Sequence, residues 1–224
     1  MNDTQPPPQF LACEDGESIA YHALPGRTPG LVFFGGFFSD MTGTKAMSLE
    51  TLCRQTGQAF VRFDYFGHGA SSGAFTEGTI SRWKEDAVRI LDETTEGLQI
   101  LVGSSFGAWI MILAALERRE RVAGMMSIAG APDFTEDLIW ETLSEEDRDR
   151  LRETGSIRIP NPYGNEPTPN SHALIEDGRE LFHPPLVERV AEARAHAPAD
   201  QVEPHPLVVG GAAATLEARE QGPE

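Results

Sequence analysis

Short apolar runs alternate with longer amphipathic stretches over the first 130 residues. Gly30–Phe34, Ala59–Phe63, Leu98–Gly103 and Val122–Ile128 are apolar runs of strand length. Between them, Thr44–Gln58 places Ala46, Met47, Leu49, Leu52 and Cys53 at helical spacing. Ile80–Thr94 does the same with Trp83, Ala87, Ile90 and Leu91. Ser105–Leu116 is almost wholly apolar from Ala108 to Ala115, which predicts a buried helix. Strands alternating with helices of this length predict βαβ units and a mostly parallel sheet covered on both faces. Ahead of them, Phe10–Ala12 and Ser18–His22 flank Glu14-Asp15-Gly16-Glu17. Asp-Gly between two apolar runs predicts a hairpin, and so an antiparallel edge to an α/β sheet.

After Pro132 the alternation stops. Asp133–Thr154 is acidic and amphipathic, with Leu138, Ile139, Leu143 and Leu151 spaced for a helix; Ile159–Asn170 is rich in Pro, Asn and Gly and reads as loop. Ser171–Phe182 is again helical. The segment 133–182 reads as an insertion over the sheet, with a lid expected at about 133–170. The Pro-rich residues 1–9 are expected to form a flexible arm, and 10–182 the core. Residues 183–224 lack Phe, Trp and Tyr, and there only Pro206–Val209 has the character of a strand.

Composition narrows the functional classes. A chain of 224 residues fits one domain, and 40% hydrophobic with 24% charged residues is a globular balance. A net charge of −17 repels phosphates, which argues against nucleic acid and anionic lipid as partners. No apolar run reaches the roughly 20 residues of a membrane span. The polar, acidic start Met1-Asn2-Asp3-Thr4 lacks a basic region followed by an apolar one, so a cytoplasmic location is expected. Cys13 and Cys53 belong to no C-x-x-C or Cys/His cluster; they read as core-filling thiols, with no metal implied.

The chemistry concentrates at Gly103-Ser104-Ser105-Phe106-Gly107, a G-x-S-x-G pentapeptide between an apolar run and an apolar helix. That context predicts a sharp strand-to-helix turn presenting Ser105 as a nucleophile, glycines on both sides keeping the turn clear. Ser104 is the rival, but only Ser105 has both glycines in register. The helix N-terminus favours developing negative charge, and the Phe106 N–H is one natural oxyanion donor. A second is expected from Phe33-Phe34-Gly35-Gly36-Phe37-Phe38, with Phe37 supplying its N–H. The plainer readings are an ordinary βα turn and an ordinary strand end. His68, in Asp64-Tyr65-Phe66-Gly67-His68-Gly69, reads as a turn-shaping residue rather than a base.

Several motifs occur together in order: Met41-Thr42-Gly43-Thr44-Lys45-Ala46, Arg62-Phe63-Asp64-Tyr65 with its glycine turn, Trp83, and Gly103–Trp109. The set resembles a branch of the α/β-hydrolase superfamily. That branch holds a mitochondrial acyl-protein thioesterase, also known as an acyl-glucuronide esterase, and bacterial relatives. The resemblance covers about residues 10–182. It implies a serine esterase or thioesterase with a Ser–Asp–His triad, Ser105 as nucleophile, an acylated or small-molecule substrate, no cofactor, and a lid near Asp133–Trp140.

After Phe182 the resemblance is not legible, and the triad acid and base are not identified. Asp133 and His205 are weak candidates for them, with His172, His183 and His196 also downstream of Ser105. A shifted reading frame, a divergent C-terminus, or a triad completed elsewhere each fit the Ala- and Pro-rich tail; its composition favours the first. Two functions follow: an active hydrolase working through an acyl-enzyme, or a catalytically impaired scaffold. A dehalogenase is disfavoured, since that chemistry places Asp where Ser105 stands.

Overall fold

The computed structural model describes residues 6–160 and 166–182 of the chain. Strands β1 (Gln9–Ala12), β2 (Ser18–Leu24), β3 (Arg27–Phe34), β4 (Gln58–Phe63), β5 (Gln99–Ser104) and β6 (Val122–Ile128) form one sheet in the order β1-β2-β4-β3-β5-β6. The first two pairings are antiparallel and the remaining three parallel. The α/β architecture with an antiparallel N-terminal hairpin is the one the pattern predicts. The hairpin turns where Gly16 takes φ 89° and donates to the Cys13 carbonyl. Gln9, expected in the arm, is the first residue of β1, because its backbone pairs with Tyr21. The expectations for residues 1–5 and 183–224, including His183, His196 and His205, fall outside the described residues.

Helices α1 (Thr44–Thr56), α2 (Ile80–Thr94) and α3 (Phe106–Glu117) cover the sheet. Trp83, Ala87, Ile90 and Leu91 of α2 are fully buried, as their spacing requires, and α3 is buried along most of its length. Together with Val32, Phe34, Phe63 and Leu101 they form the larger core. Leu31, Phe33, Phe60 and Val102 point to the other face and pack with Ala46 and Cys53 of α1.

The segment after β6 departs from a single long helix. Asp133 starts a π-helical turn at Thr135–Ile139, a short turn follows at Trp140–Thr142, and α4 begins only at Glu145 and runs to Thr154. The Ser144 side chain accepts the Asp147 N–H and caps α4, which is why the helix restarts there. The stretch expected as loop, Ile159–Asn170, holds the last residue of one strand and most of another. β7 (Ser156–Ile159) and β8 (Thr168–Ser171) pair antiparallel, and α5 (His172–Phe182) follows.

α5 is tied to the start of α2 and to the first turn after β6. Asp177 accepts the Ser81 N–H and hydroxyl, each at 2.7 Å, at the start of α2. Arg179 grips Glu136 with two hydrogen bonds of 2.7 and 3.1 Å. Among the described residues no helix is long and apolar enough to cross a membrane.

Candidate active site

Ser105 stands between β5 and α3 with φ 55° and ψ −126°, a backbone conformation that L residues rarely adopt. The surroundings hold it there. Its N–H donates to the Ile128 carbonyl at the end of β6, and its carbonyl accepts from Ala108 and Ala131. The side chain is half-buried. No hydrogen bond engages the Ser105 hydroxyl among the described residues.

The two glycines of the pentapeptide are steric requirements. A Cβ on Gly103 would lie 2.5 Å from Ala108 Cα, inside the first turn of α3. A Cβ on Gly107 would lie 2.2 Å from the Gly35 carbonyl oxygen and 2.4 Å from that of Phe34. The helix therefore seats directly on the end of β3, and only glycine permits the approach. A Cβ on Gly36 would touch Ser104 O at 3.7 Å and Ser105 Cβ at 3.8 Å, so the loop after β3 runs alongside the serine. Phe37 directly follows Gly36, and Phe106, the first residue of α3, has no intrahelical acceptor for its N–H.

Phe37 is anchored by its ring. It meets Phe75 at 5.1 Å, Trp83 and Phe106 at 5.9 Å, and Phe134 at 4.8 Å. Phe38, next along, takes φ 56° and is exposed. Farther on, the loop is gripped by β4. Met41 donates its N–H to buried Asp64 at 2.6 Å and gives its carbonyl to Arg62 at 3.0 Å. Arg62 is itself buried and ion-paired with Glu50 at 2.6 Å. The Met41 and Arg62–Tyr65 motifs are therefore one structural unit supporting the loop.

His68, expected to shape its turn, is buried. Its Nδ1 donates to the Phe66 carbonyl at 3.1 Å, and its ring lies against Tyr65, Phe75 and Trp83. Burial lowers its pKa to about 4. The same Phe66 carbonyl accepts from Trp83 Nε1, while the Phe66 N–H donates to Asp86 at 2.7 Å. Burial raises the Asp86 pKa to about 6, against the opposing pull of that hydrogen bond and of Arg82. Asp86 was not singled out by the sequence; its place on the buried face of α2, at i+3 from Trp83, was the available signal.

Asp133 is buried at φ 62°, and its carbonyl accepts the Glu136 and Asp137 N–H groups. Its backbone thus opens the π-helical turn. His172 lies at the start of α5, 6.5 Å from the Trp140 ring and 3.7 Å from Glu176. Phe134 was missed by sequence reasoning, because a single Phe in an acidic stretch gives no period to read. Among the described residues no group of three or more His, Cys, Asp or Glu is arranged to hold a metal ion.

The fold and this elbow define an α/β hydrolase, and the Alpha/beta hydrolase family matches residues 28–220, so the chain belongs to that family. The match takes in most of the segment after Phe182. The mouse protein named palmitoyl-protein thioesterase ABHD10, mitochondrial, is 36% identical over 200 residues, covering 87% of this chain and 66% of its own length. The human protein of that name is 35% identical over 198 residues, with 87% and 64% covered. The chain thus spans about two thirds of the length of these curated relatives. The solved structure of alpha/beta hydrolase domain-containing protein 10 from mouse superposes with a TM-score of 0.68, covering 77% of this chain and 69% of that one. A putative hydrolase from Agrobacterium vitis S4 is 41% identical with a TM-score of 0.72, covering 78% and 72%.

Proposed function

We propose that this chain hydrolyses acyl esters or thioesters through an acyl-enzyme on Ser105. The observation that carries the reading is the strained Ser105 backbone at the N-terminus of a buried helix, held by hydrogen bonds from β6 and the loop after it. In this reading Ser105 Oγ attacks the acyl carbonyl carbon. The carbonyl oxygen becomes an oxyanion that accepts from the Phe106 and Phe37 N–H groups, aided by the positive end of α3. The alcohol or thiol leaves with a proton, and water then releases the acid from Ser105.

The segment 133–170 acts as the lid. Phe37 and Phe75, both partly exposed, supply an apolar wall for the acyl chain, backed by buried Phe106 and Phe134. The relatives named palmitoyl-protein thioesterase support thioesters of acylated proteins as the substrate class.

The proton of Ser105 needs an acceptor. His22, His68 and His172 are the described histidines, and none is hydrogen-bonded to Ser105 among the described residues. His205, with His183 and His196, is therefore the place to seek the base, and Asp133 is a weak candidate for the acid. The second reading is a scaffold that keeps the elbow and has lost turnover.

One experiment separates them. The full chain is treated with a fluorophosphonate probe and assayed on p-nitrophenyl esters, beside Ser105→Ala. Labelling and turnover that vanish together in the variant support the hydrolase, with kcat falling on the order of 10⁴–10⁶. A folded wild-type chain that is neither labelled nor active supports the scaffold.

A further inference from the structure

Phe134 touches both residues assigned to the oxyanion hole. Its ring centre lies 4.8 Å from that of Phe37 and 5.4 Å from that of Phe106, with Trp109 at 6.2 Å. It is 5% exposed. The other rings around Phe37 belong to the sheet domain: Phe75 to the turn Phe75–Glu77, Trp83 to α2, Phe106 to α3. Of these rings, Phe134 alone comes from beyond β6. It is also the residue on which the π-helical turn Thr135–Ile139 begins, directly after Asp133 at φ 62°.

The peptide unit of the Phe37 N–H is held at its other end, where the Gly36 carbonyl accepts from the Ser39 N–H at 3.3 Å and the Ser39 hydroxyl at 3.0 Å. Gly35 and Gly36 add no side-chain restraint ahead of that turn, so the seat of the Phe37 ring is a further hold on its orientation. Aromatic contacts prefer particular geometries, and four bound this ring: edge-on ones from Phe75, Trp83 and Phe106, and a closer, tilted one from Phe134. Removing one wall lets the ring re-seat and turns the amide with it. Because one of the walls belongs to the lid, the state of the lid is felt at the oxyanion hole.

We propose that Phe134 is a positioning residue that couples the first turn of the lid to the oxyanion hole by pinning the Phe37 ring against Phe106. The inference rests on Ser105 being the nucleophile. It concerns alignment of the Phe37 N–H with the developing oxyanion, so its effect belongs to the transition state rather than to substrate binding.

The test uses the full chain with Phe134→Leu, which stays apolar and loses the ring. Phe134→Met runs in parallel, so the result does not depend on one variant folding. Steady-state constants are measured on p-nitrophenyl butyrate. Inhibition is measured with butaneboronic acid, whose boron bonds to Ser105 Oγ and places a boronate oxygen in the hole. Loss of a whole oxyanion donor costs about 10²–10³ in kcat, and misalignment of one costs less. The expected result is about a tenfold fall in kcat, KM within about twofold, and boronate affinity weakened in the same proportion as kcat. Wild-type turnover with a change in KM alone, or a fall in kcat without weaker boronate binding, overturns the role of Phe134 and leaves the hydrolase reading intact. A wild-type chain that is inactive and unlabelled at Ser105 overturns that reading, and this inference with it.

Discussion

Ser105 shows strain and chemistry meeting at one residue. Its φ of 55° costs on the order of 1–3 kcal/mol for a residue with a Cβ, a cost glycine does not bear. Ser105→Gly and Ser105→Ala both remove the hydroxyl, yet only glycine relieves the backbone. Urea denaturation should find the glycine variant more stable than the alanine variant by about 1 kcal/mol, after its larger unfolded-state entropy is counted. Equal stabilities would mean that the turn is unstrained. His68 and Asp86 give a pH signature of opposite signs. Unfolded His68 takes up a proton near pH 6.5, but the folded ring resists it down to about 4. Its contribution is therefore present above pH 6.5 and lost as the pH falls towards 4. Asp86, with its pKa raised from 3.8 to about 6, holds a proton when folded that it releases when unfolded. Its contribution is present below about 4 and lost as the pH rises to 6. Across that window the two slopes offset each other. His68→Gln removes one of them. The stability advantage of wild type over the variant should grow by about 3 kcal/mol from pH 4 to 6.5, read from urea midpoints at several pH values.

Elements are held together here by a few directional contacts, and α5 is the clearest case. Asp177 caps the start of α2 through the Ser81 N–H and hydroxyl, where a negative charge also suits the helix dipole. Arg179 pairs with Glu136, also part-buried, but between two side chains that must both be ordered. Asp177→Ala should cost about 1–2 kcal/mol, whereas Arg179→Met should cost under about 1 kcal/mol, by equilibrium unfolding. The reverse order would mean that the ion pair, not the cap, holds the segment after β6. The same contrast explains what was legible in the sequence. Strands β3 to β5 and helices α2 and α3 bury continuous faces, so their apolar pattern could be read to within about three residues. The stretch after Pro132 buries isolated residues such as Phe134, Ile139 and Leu151, each held by its own neighbours, and leaves no period to follow. β8 was read as loop, and β7 was not singled out, because a two-stranded pair beside Pro and Asn looks polar until its backbone partners are known. At the site, the Ser105 turn and the glycine loop were legible because sterics dictate glycine at fixed positions. The ring that pins Phe37 comes from 97 positions away and was not.

Charge and edge dominate at the scale of the whole molecule. A net charge of −17 on 224 residues sets the surface against itself, and salt screens that repulsion within about 10 Å at 0.1 M. Raising NaCl from about 20 to 300 mM should raise the thermal midpoint, although exposed ion pairs such as Arg152–Asp149 weaken in the same range. A midpoint that falls would show that attractive pairs outweigh the excess of acid. At the edge of the described sheet, β6 leaves Met125 and Met126 half exposed, at 43% and 55%. Repulsion keeps such edges apart at neutral pH but vanishes near the isoelectric point of about 4.7. Light scattering should therefore rise towards that pH, and less so for Met126→Lys. A further consequence lies in the aromatic residues themselves. Trp83 and Trp109 are sealed in the core, while Trp140 sits in the segment over the site with the guanidinium groups of Arg148, Arg152 and Arg179 at 5.3, 4.9 and 4.4 Å from its ring. Two of the three tryptophans therefore emit from a dry core, and the third reports on the segment proposed as a lid. Subtracting the spectrum of Trp140→Phe from that of the wild type isolates a built-in optical gauge of that segment, which reads any displacement of it in real time without an attached dye.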